Sequence, residues 1–89
     1  MALDKEEITP GQLVQVIWED THIEGTWLAP EDAEKCAALE VSTVGHFVSQ
    51  DRDAVRVAFQ YNPKSGLFDE VAAIPIGTVI SINLLEMKL

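Results

Sequence analysis

Between positions 54 and 66 the chain leaves little freedom to its own fold. Val55, Val57, Phe59 and Tyr61 alternate with Arg56, Ala58 and Gln60, and Asn62-Pro63-Lys64-Ser65-Gly66 follows directly. Apolar and β-branched residues at a period of two describe a strand with one buried face. Proline presets φ in the segment behind it, and glycine can take the left-handed position that ends a turn. The pair predicts a hairpin, with the next strand running from Leu67 to Ile74.

The same period recurs around this hairpin. Leu13 to Glu19 reads as a strand after a polar lead-in (residues 1–11) and a turn at Pro10-Gly11. Val14, Val16 and Trp18 share its inner face, and Trp18 reads as core. Asp20 to Ala29 reads as a loop. Pro30-Glu31-Asp32 reads as the first turn of a helix, because proline loses nothing there and carboxylates meet the positive end of the helix dipole. Ala33, Cys36, Ala37 and Leu39 give that helix a thin apolar stripe over two to three turns, with Cys36 on the packed side. Val41 to Val48 is again strand-like, and Gly45 within it predicts a sharp bend or bulge. Gln50 to Asp53 is a polar turn. Pro75-Ile76-Gly77 is a tight break, and Thr78 to Leu85 forms the last strand, with apolar residues on both faces. The expected fold is mainly β: a small five-stranded barrel with one short helix inserted between strands 1 and 2, all in a single domain. Curling the sheet closed would remove the exposed edges of an open one.

Two segments of this order resemble the Sm-like (SH3-like) small barrels. Gly45-His46-Phe47-Val48-Ser49-Gln50-Asp51 is similar to the first Sm motif, a bent strand leading to an aspartate. Val71 to Ile82, with Gly77 ahead of Val79-Ile80-Ser81-Ile82, is similar to the second. The resemblance implies a barrel that pairs edge strands into rings. It does not extend to RNA chemistry: the base-reading asparagine of the RNA-binding members is replaced here by Val55, and their nucleotide-clamping arginine by Ile76. The whole chain also resembles short uncharacterised phage and bacterial proteins through Val16-Ile17-Trp18-Glu19-Asp20, Gly25-Thr26-Trp27, Thr43-Val44-Gly45 and Ile74-Pro75. That likeness implies an origin but no activity.

Size and charge narrow the function. A domain of 89 residues buries only about 60–65% of its unfolded surface, so its stability is marginal without disulfides, metals or association. Cys36 is the only cysteine, so no internal disulfide can form, and a lone thiol fits a reducing, cytoplasmic setting. Association is left as the expected source of extra stability. With 15 acidic and 6 basic residues the net charge is −9. Nucleic-acid affinity comes largely from Lys and Arg neutralising phosphates. Here Lys5, Lys35, Arg52, Arg56, Lys64 and Lys88 are scattered. The net field repels DNA, RNA and anionic membranes. Met1-Ala2-Leu3-Asp4-Lys5-Glu6-Glu7 does not read as a secretory leader and no apolar run reaches the ~20 residues that span a bilayer, so a cytoplasmic location is expected.

Candidate chemistry is sparse. His22, His46 and Cys36, even with Asp20 or Glu24, lack the spacing of a zinc site. His46 reads as a packed or surface histidine. The carboxylate pairs Glu31/Asp32 and Asp69/Glu70 follow from an acidic composition and have no evident apolar cleft to raise a pKa. No glycine loop cradles a phosphate, no cofactor is called for, and no catalytic residue is assigned. Trp27 has two readings, a lid over one end of the barrel or an exposed anchor for a protein partner, since tryptophan dominates interface hot spots. The last strand, through Val79, Ser81, Asn83 and Leu85, is the expected self-association element. The leading expectation is therefore a non-enzymatic, homo-oligomeric binding or structural module with a protein partner. The alternatives are a nucleic-acid binder using a local basic site at Arg52 and Arg56, and an acidic mimic that occupies a DNA-binding protein.

Overall fold

The computed structural model describes residues 7–86; the first half of the lead-in, residues 1–6, lies outside them. Five strands form: β1 (Leu13–Asp20), β2 (Leu39–Gln50), β3 (Ala54–Asn62), β4 (Leu67–Pro75) and β5 (Val79–Leu84). A single helical turn, α1 (Pro30–Ala33), separates β1 from β2, and a 3-10 turn (Ile76–Thr78) separates β4 from β5. Every strand pairing is antiparallel, in the spatial order β4-β3-β2-β1-β5.

This order corrects the expected closure. The sheet is open: β4 and β5 occupy its two ends, and among the described residues neither pairs with the other. The protein is correspondingly elongated, with extents of 55 × 29 × 26 Å. Its accessible surface is 6561 Å², against about 5,200 Å² for a compact monomer of this mass.

Turns form where the sequence places them. Gly11 takes φ +95° beside Pro10, and Gln12 N–H donates to the Thr9 carbonyl. In the β3–β4 turn the Asn62 side chain accepts from the N–H groups of Lys64 and Ser65, and Gly66 takes φ +77°. An asparagine that bonds the backbone two residues on builds a turn without help from the rest of the fold.

The core is thin. It consists of Val14, Val16, Phe47, Val55, Val57, Ile74 and Val79, with Ile8, Trp18, Ala72, Ile76 and Ile82 packed against it. Its fully buried large side chains are all valines. Trp18 sits at the margin of the core, partly buried, with its Nε1–H donating to Thr43 Oγ1 at 2.9 Å.

Two bulges shape the sheet. Between β2 and β3 the register jumps from Phe47↔Val57 to Ser49↔Arg56, close to Gly45, where the sequence predicts a bend. Between β1 and β5 it jumps from Ile17↔Ser81 to Trp18↔Val79, leaving Ile80 as the extra residue. A bulge puts two residues of one strand opposite one of its partner, and so breaks the period of two. This accounts for a last strand that reads as apolar on both faces: Val79 and Ile82, three apart, both join the core.

Candidate interaction surfaces

The longest unburied part of the chain is the connection between β1 and β2. From Glu19 to Glu40 every residue is exposed, through the end of β1, the loop, α1 and the start of β2. The local sequence explains why. Ala33, Cys36 and Ala37 form too small an apolar stripe to hold a helix down, and a helix without packing does not repay its nucleation. It ends after Ala33, not after the expected two to three turns. Cys36, expected on a packed face, is exposed. Loops of this length without structure of their own are uncommon in small domains and tend to be binding segments or linkers.

Trp27 is fully exposed on this arm, at 101% relative accessibility, which removes the lid reading. Ile23, at 80%, is also bare. On the same arm, His22, Glu24, Leu28, Asp32, Lys35, Cys36, Ala37 and Leu39 line a shallow, open cleft. Within it, His22 Nε2 lies 2.9 Å from Glu24 Oε2. Cys36 shares this cleft with His22, but among the described residues no group of three His, Cys, Asp or Glu side chains is placed to hold a metal ion.

His46 is partly buried and lies far from that cleft. Its Nδ1 is 2.9 Å from the Gly11 carbonyl, which can only accept, so Nδ1 carries the proton. Its ring tilts against Tyr61, which stacks on Phe68 with centroids 4.9 Å apart. The cluster ties the lead-in to the turn end of the β3–β4 hairpin.

The two arginines of the nucleic-acid alternative differ. Arg52 is exposed in the β2–β3 turn. Arg56 is committed to that turn: its Nη1 donates to Asp51 Oδ2 at 2.9 Å and to Ser49 Oγ at 3.3 Å. Asp51 also accepts from the backbone N–H groups of Asp53 and Ala54, and these bonds, with Arg56 beside them, hold its carboxyl below its ordinary value. Asp51 thus acts as the cap of the β2–β3 turn.

The residues expected to mediate self-association take different positions. Val79 is in the core at 8% exposure, Ser81 and Leu85 are partly buried, and Asn83 is exposed with its side-chain amide donating to Gln15. The bare apolar side chains of β5 are Ile80 and Leu84, at 49% and 41%. The bulge is the signal that sequence periodicity missed. No helix of the described residues is long and apolar enough to cross a membrane.

Comparison of the chain with family models, with curated proteins and with solved structures finds no match.

Proposed function

We propose that the protein is a non-enzymatic interaction module: it self-associates through sheet edges and presents the arm between β1 and β2 to a protein partner. One observation carries this reading. A 22-residue stretch, Glu19–Glu40, has no buried residue, yet bears Trp27 and Ile23 bare to solvent. A large apolar side chain held in water costs solubility and contributes nothing to this fold. Aromatic anchors of this kind dominate the energetics of protein interfaces.

Association fits the thin core. A valine-lined sheet with two open edges gains most from burying surface between copies. Nucleic acid is the weaker reading, because Arg56 is held by Asp51 within a chain of net charge −9.

Panning a peptide-display library on the wild-type chain, with counter-selection on Trp27→Ala, tests the arm. Enrichment of apolar sequences that bind wild type and not the variant is expected. Enriched peptides that bind both equally would remove Trp27 as the anchor, and no enrichment would remove the arm as a protein-binding surface.

A further inference from the structure

Among the described residues both edges of the sheet, β4 and β5, are free, and they are guarded differently. Proteins blunt an edge with charge, proline or an irregular backbone. β4 has all three: Asp69 and Glu70, the left-handed Glu70 at φ +57°, and Pro75. β5 has neither charge nor proline; its one irregularity is the bulge at Ile80, and it lies in a run from Val71 to Leu85 that carries no charge in a chain of net −9.

Backbone and side chains of β5 suit one partner. Leu85 N–H donates to the Leu13 carbonyl, so the alternation of an antiparallel ladder turns the main-chain groups of Ile82 and Leu84 outward over the free edge. A two-fold axis at Ile82 would set Ile82 against Ile82, Ile80 against Leu84 and Ser81 against Asn83. Apolar then meets apolar and polar meets polar. Ile80 and Leu84, the bare apolar residues of the strand, cover each other twice. No charge meets another, whereas most other faces of two copies at −9 each would bring carboxylates together.

The geometry points to a symmetric dimer in which β5 of one copy pairs antiparallel with β5 of a second, making one continuous ten-stranded sheet. This rests on the self-association reading above and gives it a partner strand and a register. Contacts of this kind are self-complementary and close on two copies.

Light scattering across a concentration range tests it. Wild type is expected at twice the chain mass of 9.8 kDa. I80K/L84K places like charges opposite each other in both symmetry-related pairs and is expected to weaken association about tenfold or more. I80K/L84E sets each introduced lysine against an introduced glutamate and is expected to restore the dimer. Both positions are solvent-exposed, and circular dichroism confirms that each variant is folded. A dimer that survives I80K/L84K, or a wild-type mass above two copies, overturns the β5 two-fold and leaves self-association standing. Failure of I80K/L84E to recover the dimer overturns the Ile80–Leu84 register. A monomer at every concentration overturns both the dimer and the self-association reading, leaving this edge to a foreign strand.

Discussion

Gly45 of β2 lies so close to Ala58 of β3 that a β-carbon on the glycine would stand 2.7 Å from the Ala58 carbonyl oxygen. The contact is with main chain, which cannot swing aside as a side chain can. It lies beside the bulge between Phe47 and Ser49, where the sheet bends.

Gly45→Ala is therefore expected to destabilise the fold by about 1–3 kcal/mol, the usual range for overpacking a tight site. Urea denaturation checks this. Gly25→Ala is the matching control, since nothing lies within 4 Å of its added carbon and its φ is not positive. That variant should hold its midpoint or gain slightly through a less flexible unfolded chain. A Gly45→Ala midpoint equal to that of Gly25→Ala would show that the close approach relaxes freely.

The Asp51 turn makes acid stability a second test. The carboxyl is held below its ordinary value of 3.8 by the N–H groups of Asp53 and Ala54 and by Arg56. Above 3.8 the group is charged in both folded and unfolded chains, and its contribution is complete. As the pH falls below that value, the unfolded chain takes the proton first, so stability is lost progressively until the folded group also protonates. The difference in stability between wild type and Asp51→Asn should thus be constant at neutral pH and shrink in acid. A difference independent of pH down to 2 would show that the charge on Asp51 contributes nothing.

Much of the sheet is readable from the chain, and the failures have one physical origin. Strands at Leu13, Val55 and Leu67, the Gly66 turn and the bend near Gly45 follow from residues that interact locally. Closure does not, because it depends on how far curvature accumulates over five strands and two bulges. The bulge at Ile80 adds one residue and so hides which side chains of β5 face inward. Cys36 misleads for a related reason: its helical spacing is genuine, but no element lies where that stripe could pack. Trp27 stands out in the sequence, yet its exposure depends on where the arm travels, which no local pattern encodes.

Trp18 and Thr43 supply a third prediction. Their side chains link β1 to β2 at 2.9 Å in a partly buried setting. A neutral hydrogen bond of this kind contributes about 1 kcal/mol net. Thr43→Val keeps the shape and leaves the indole N–H without its partner, so it should cost about that much. In a double-mutant cycle with Trp18→Phe, Thr43→Val should cost little once the indole is gone, because the shared bond is already lost. Additive losses would mean that each residue acts through packing alone.

Trp27 and Trp18 are the only tryptophans, and their surroundings differ enough to be read separately. Trp18→Phe leaves Trp27 as the sole indole, fully exposed on the arm. Its fluorescence should resemble that of free tryptophan and be quenched almost as readily. Trp27→Phe leaves Trp18, shielded by the core margin, with bluer and better protected emission. Acrylamide is the suitable quencher, since a chain of net charge −9 repels iodide and would shield both indoles artificially. Trp27→Ala should change the unfolding free energy by no more than about 0.5 kcal/mol, as expected for a surface change that removes no contact. If Trp27 proves as protected as Trp18 in the isolated chain, the arm folds back onto the sheet and cannot be the bare anchor proposed above. If it is exposed in dilute solution and becomes protected only when a selected peptide is added, the anchor and its partner are located in one titration.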